Sequence, residues 1–208
     1  AVGPISTQKI MGLVLVALIP AFISGIYQFG YRAAVLTIVC VIACVVFEYL
    51  MNVILKKKQT VGDLSAVLTG VLLAFNLPSG LPYWIAIVGC FAAIVVVKQL
   101  FGGIGQNLVN PAVTARIFLF IAFATEMTTW PTARGAGVDA VTSATPLGEL
   151  GMGGPEAVTA SNMDLFLGNV GGCIGEVSAL ALLIGGIFLI CSRVITWHIP
   201  VSFLATVA

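Results

Sequence analysis

The stretch Ile10 to Phe29 contains no charged residue, and Ala33 to Leu55 contains only Glu48. Each is about as long as the roughly 20 residues a helix needs to cross hydrocarbon. In lipid no water can satisfy a backbone N–H or C=O, so an apolar run of that length has to close its hydrogen bonds internally, as a helix. The chain is thereby restricted to helix packed on helix, with its polar connections at the two membrane faces. Its 208 residues are 60% hydrophobic and 8% charged, too little charge to cover a water-soluble domain. A net charge of +1 supplies no basic surface, so no nucleic-acid partner is expected and membrane lipid is.

Further spans follow. A third apolar segment starts at Gly62-Asp63 and ends at Asn76-Leu77-Pro78. At about 15 residues it is short for a crossing, and it reads as a broken or re-entrant span. The fourth runs from Pro82 to Val97, with Tyr83 and Trp84 as interfacial aromatics and Lys98 as the flanking charge. The fifth opens at Asn110-Pro111, an N-cap with proline at the first helical position, and ends near Ala124. Glu126 to Gly172 is the one long polar segment, and a connection of that length is usually functional or disordered. A sixth span is expected from about Ile174 to Ile190 and a seventh from Pro200. The expected division is a membrane domain of about five spans over 1–125, an extracytoplasmic connection over 126–172, and the start of a second membrane half over 173–208, cut short within its last span.

Alternating these spans puts Lys9, Lys56, Lys57, Lys58, Lys98 and Arg193 on one side, and Arg32 and Arg134 on the other. The lysine-rich side is then cytoplasmic. The orientation requires the short third segment to count as a crossing. Gly62-Asp63-Leu64-Ser65-Ala66-Val67 also echoes Gly175-Glu176-Val177-Ser178-Ala179-Leu180, the two copies opening spans from opposite faces. That is the pattern of an inverted repeat. It is also what any acid in the first turn of a helix gives, through the macrodipole.

Ionisable residues at membrane depth are candidates for function, because lipid exposure costs them at least ~2.5 kcal/mol. Glu48, Asp63 and Glu176 are the ion-pathway candidates, and hard cations would take their oxygens together with those of Ser65, Thr69, Asn76 or Ser178. For Glu48 and Arg116 an interhelical pair or snorkelling explains the charge equally well. Cys40 and Cys44 share a helical face and read as packing residues, since an iron–sulfur cluster needs four thiolates and one face supplies two. His198, beside Trp197, reads as interfacial. No metal site and no catalytic residue is expected. The Asn107 and Asn110-Pro111 segment offers backbone N–H groups to an anion or a flavin edge, or is simply a helix cap. The Gly102-Gly103-Ile104-Gly105 glycines follow no strand and make no dinucleotide fingerprint.

In the polar connection stands Asp139-Ala140-Val141-Thr142-Ser143-Ala144-Thr145-Pro146-Leu147. Its last threonine has small neighbours, and Pro146 keeps it at an element boundary. As a plain structural feature it is a threonine N-cap with Glu149 in the first turn. The string resembles the flavinylation motif of the D and G subunits of Rnf-type ion-translocating oxidoreductases and of the B and C subunits of the related sodium-pumping NADH:quinone reductase. Lys98-Gln99-Leu100-Phe101-Gly102-Gly103-Ile104-Gly105-Gln106-Asn107, Asn110-Pro111-Ala112, Leu73-Ala74-Phe75-Asn76-Leu77-Pro78 and the two echo segments resemble the Rnf-type D subunits as well. The resemblance implies an all-α polytopic bundle of inverted repeats, similar to urea and ammonium transporters. It implies FMN joined through its phosphate to Thr145, with Asp139, Thr142, Ser143 and Ala144 as the recognition residues, and riboflavin as a conceivable second flavin. It implies a bacterial inner-membrane translocase coupling ferredoxin/NAD chemistry to Na⁺ or H⁺ movement. The implied partners are a flavin transferase, the flavin-bearing G subunit, the membrane A and E subunits, and the iron–sulfur B and C subunits. The competing readings are a B-like quinone-reductase subunit and a channel without redox chemistry.

Overall fold

A computed structural model describes residues 6–131, 145–154 and 160–207. Among these residues the regular structure is helical, and there is no strand beyond an isolated bridge. α1 (Thr7–Phe29) and α2 (Tyr31–Ile54) are long and apolar enough to cross a membrane. Shorter apolar helices pack beside them: α3 (Ser65–Phe75), α4 (Tyr83–Phe91, continued by a π-helical stretch Ala92–Gln99), α5 (Pro111–Ala122) and α9 (Ala179–Cys191). The remaining helices are α6 (Ala124–Met127), α7 (Pro146–Gly153), α8 (Asn162–Leu167) and α10 (His198–Val207).

α1 starts where Ser6 accepts the Lys9 N–H and ends at Gly30, whose φ of 74° lets the chain reverse directly into α2. Both helices leave large apolar side chains on the outside, among them Ile19, Ile23, Ile38 and Ile42. That is unfavourable in water and neutral in lipid. Small residues face inward and set the spacing. A Cβ at Gly70 of α3 would lie 2.8 Å from the Val41 Cα, so α3 and α2 pack backbone to backbone.

α3 is 11 residues long, about 16 Å, half the height of a bilayer core. It starts beside the end of α2 that carries Lys56 to Lys58 and finishes with Phe75 stacked on Phe22 of α1, rings 6.3 Å apart. Residues 76–82 complete the passage, because α4 starts at the opposite end and returns to the first. The short third segment therefore takes the chain from one end of the bundle to the other.

The sixth span differs from expectation. It begins at Ala179, not Ile174, because the Ile174 and Gly175 N–H groups are committed to Leu77 O and Phe75 O at 3.2 and 3.0 Å. Cys173 and Pro78 form the isolated antiparallel bridge. Gly175 lies against the Phe75 side chain, with no room for a Cβ. The two echo segments thus open helices that run oppositely: α3 from the lysine end, packed on α2, and α9 from the other end, packed on α1. In the polar connection α7 starts at the expected Thr145-Pro146 cap, and α8 is a further, unexpected helix.

Candidate functional site

Thr145 is the N-cap of α7. Its backbone is extended, its Oγ1 accepts the Gly148 N–H at 3.2 Å, and Pro146 follows at the first helical position. The side chain is half-buried and Glu149 lies in the first turn. This is the cap geometry expected from the sequence, and it leaves the threonine oxygen at a helix start, where N–H groups and the macrodipole favour an attached phosphate. The acceptor fits an ester in that respect. Asp139, Thr142, Ser143 and Ala144 lie outside the described residues.

A second cluster lies at the lysine end, with Glu48, Asn52, Ser65 and Lys98 buried and Thr60 exposed. Glu48 on α2 is fully buried, and its Oε2 accepts from Lys98 Nζ at 2.6 Å. The same ammonium donates to Ser65 Oγ at 2.6 Å. Thr60 donates to Glu48 Oε1 at 2.8 Å and accepts from Asn52 Nδ2 at 3.1 Å. Lys98, expected to flank its span in water, is 2% exposed. The π-helical turn around it, where the Leu100 N–H reaches back to Val95 O, carries it inward. Lys9, Lys56, Lys57, Lys58 and Arg193 are the exposed charges of that end.

The other candidates separate. Asp63 accepts the Ser65 N–H at 2.9 Å, and the link to Glu48 runs on through Ser65 Oγ and the Lys98 ammonium. Glu176 sits at the far end of the bundle and accepts the Cys173 N–H at 3.1 Å. Thr69 donates to Ser65 O, and Ser178 caps the Ala181 N–H. Asn110 caps Ala112 and Val113, as expected.

Arg116 bonds Asn76 Oδ1 at 3.0 Å and Cys173 Sγ at 3.6 Å, and it makes no pair with Glu48. It thereby joins α5 to the seam between the end of α3 and residues 173–175. Cys40 and Cys44 are buried, and Cys90 of α4 joins them by donating to Cys40 O at 3.5 Å. Among the described residues no group of His, Cys, Asp and Glu could hold a metal. His198 is exposed and stacks on Trp197.

Gln28, near the end of α1, donates to Asn169 Oδ1 at 2.8 Å. Residues around Asn169 therefore sit at the end of the bundle opposite Lys56 to Lys58.

These features describe a helical chain with two helices able to cross a membrane, a buried Glu48–Lys98 pair, and a capped threonine in its polar connection. The chain belongs to the NQR2, RnfD, RnfE family, whose model matches residues 2–208. It is 50% identical over 205 residues to the D subunit of the Na(+)-translocating ferredoxin:NAD(+) oxidoreductase complex of Acetobacterium woodii. It is 41% identical over 209 residues to the D subunit of the proton-translocating ferredoxin:NAD(+) oxidoreductase complex of Clostridium ljungdahlii. It is 38% identical over 237 residues to the D subunit of the ion-translocating oxidoreductase complex of Stutzerimonas stutzeri. The alignments cover 98%, 97% and 97% of this chain but 64%, 63% and 65% of those proteins. The chain thus spans somewhat less than two thirds of the length of these relatives.

Proposed function

We propose that the chain is the D-type membrane component of a complex coupling ferredoxin/NAD electron transfer to Na⁺ or H⁺ translocation, with FMN esterified to Thr145. The observation that carries the reading is the Thr145 hydroxyl at the N-cap of α7, in the polar connection of a chain whose relatives are named as subunits of such complexes. In the attachment step the Thr145 oxygen bonds to the FMN phosphorus of FAD, the phosphoanhydride bond breaks, AMP leaves and the hydroxyl proton is lost. A bound flavin supplies transfer of one or two electrons. The chain's own contribution is to present the hydroxyl at a helix start, with small residues on its N-terminal side for the transferase to reach over. Riboflavin as a second flavin, and the G, A, E, B and C subunits as partners, belong to the same reading.

The proposed setting is a bacterial inner membrane with the lysine end in the cytoplasm. The Gln28–Asn169 bond supports an extracytoplasmic polar connection. The opposed directions of α3 and α9 support an inverted-repeat scaffold of the urea and ammonium transporter kind. Glu48, Asp63 and Glu176 are the acids proposed for the ion path.

The test is in-gel flavin fluorescence with peptide mass spectrometry, on full-length protein made with the flavin transferase. Wild type should carry FMN on the Thr145 peptide, and Thr145→Ala should carry none. An unmodified wild-type peptide sinks the redox reading. An adduct on Thr142 instead would mean the motif is read out of register.

A further inference from the structure

Lys98 is held as an inorganic cation would be held. Its ammonium touches a carboxylate oxygen of Glu48 and the hydroxyl oxygen of Ser65, each at 2.6 Å, and its side chain is 3% exposed. Oxygens of these types are what a hard monovalent cation prefers. The other Glu48 oxygen is occupied by Thr60, which Asn52 holds in turn. The cage is thus assembled from α2, the loop before α3, the first residue of α3 and the π-helical turn of α4. Its positive charge arrives on a side chain.

One buried carboxylate balances one positive charge. A second cation beside it would leave an uncompensated charge in a low-dielectric interior, which is strongly unfavourable. A cation can therefore reach Glu48 only if Lys98 leaves. Lysine suits that role, being a compact charge on a flexible four-carbon stem. Its carrier suits it as well, since a π-helical turn is a place where a helix can change register. The way out is short: Gln99 O, next in sequence, accepts from the exposed Lys57 at 3.4 Å, and half-buried Asp63 flanks Ser65.

We propose that Glu48 and Ser65 form a site for a monovalent inorganic cation in which Lys98 is the tethered occupant, so that mobile cation and ammonium displace one another. The role of such an exchange rests on the ion-translocation reading above; its test does not.

The full-length protein in detergent micelles is melted in sodium chloride and in choline chloride at matched ionic strength. Lys98→Met removes the tethered charge and should make the midpoint sodium-dependent, rising about 5 °C or more between about 1 and 300 mM sodium. Glu48→Gln added to Lys98→Met should abolish the rise. Wild type should respond far less. The proposal is overturned by a folded Lys98→Met protein with equal midpoints in both salts, by a rise that survives Glu48→Gln, or by an equal rise in wild type. Should Lys98→Met fold poorly, purification in sodium should recover it and choline should not. Recovery by both, or by neither, overturns the proposal too. The readout involves no flavin and no electron transfer, so an unmodified Thr145 would sink the function proposed above and leave this site standing.

Discussion

Arg116 Nη1 donates to Asn76 Oδ1 at 3.0 Å, which ties the body of α5 to the C-cap of α3. Asn76 spends its other end locally, its Nδ2 donating to Leu72 O at 2.7 Å. One amide thus closes a helix and holds a guanidinium.

Asn76→Ala and Arg116→Leu should each destabilise the protein by about 1–3 kcal/mol, since each leaves a part-buried polar partner without its bond. The double variant should cost less than the sum of the two. Thermal unfolding of all three proteins in detergent checks this. Strict additivity would show that the bond contributes nothing of its own.

The Glu48–Lys98 pair should behave asymmetrically. Breaking a buried pair from one side strands a charge and costs about 3–5 kcal/mol, whereas replacing both partners by neutral ones costs much less. Glu48→Gln and Lys98→Met, each measured in choline, should therefore be less stable than the Glu48→Gln/Lys98→Met protein. A double variant worse than both singles would contradict this.

Gly70→Ala should loosen α3 from α2, because its Cβ would meet the Val41 Cα at 2.8 Å and backbone has little freedom to yield. Overpacking of this kind costs about 1–3 kcal/mol. Gly186→Ala, with nothing within 4 Å, is the control and should be neutral or slightly stabilising. Equal melting points for the two would mean that the close approach of α3 and α2 is not required.

Asp164 closes a capping box at the start of α8: Ser161 Oγ accepts the Asp164 N–H, and Asp164 Oδ2 accepts from Ser161. The Ser161 hydroxyl is the main cause holding its carboxyl below the usual range, with Asn169 adding to it. A depressed native pKa stabilises above the unfolded value, about 3.9, and the contribution is lost as pH falls through the native value. The Leu165 amide should therefore exchange faster, relative to its intrinsic rate, below about pH 4 than at neutral pH. Asp164→Asn should remove that dependence; a wild-type profile without any would contradict the cap.

Much of the scaffold is legible in the sequence because lipid imposes one rule on every span: long apolar runs must be helices. α1 and α2 match that reading to within a few residues, and the Asn110-Pro111 and Thr145-Pro146 caps fall where small polar residues precede proline. Periodicity and length carry no information about partners distant along the chain. Lys98 at the end of an apolar run looks like a flank, and only folding brings it to Glu48, 50 positions away. Arg116 likewise meets Asn76 and Cys173 through contacts no local pattern encodes. The start of α9 is hidden for the same reason: Ile174 and Gly175 look like helix, while their N–H groups are claimed by the end of α3. The α8 start does carry a signal, since Ser161 and Asp164 have the spacing of a capping box.

The seam where Leu77 and Phe75 receive Ile174 and Gly175 has a bearing on how the protein tolerates change. It closes a ring whose perimeter holds α4, α5 and the whole polar connection, and backbone bonds fasten the clasp whatever side chains stand there. Within that ring α4 and α5 carry core residues, whereas α7 and α8 are largely exposed, so it is a cut in α7 or α8 that the seam can survive. A cut chain would stay together as one particle, its halves still clasped at the seam.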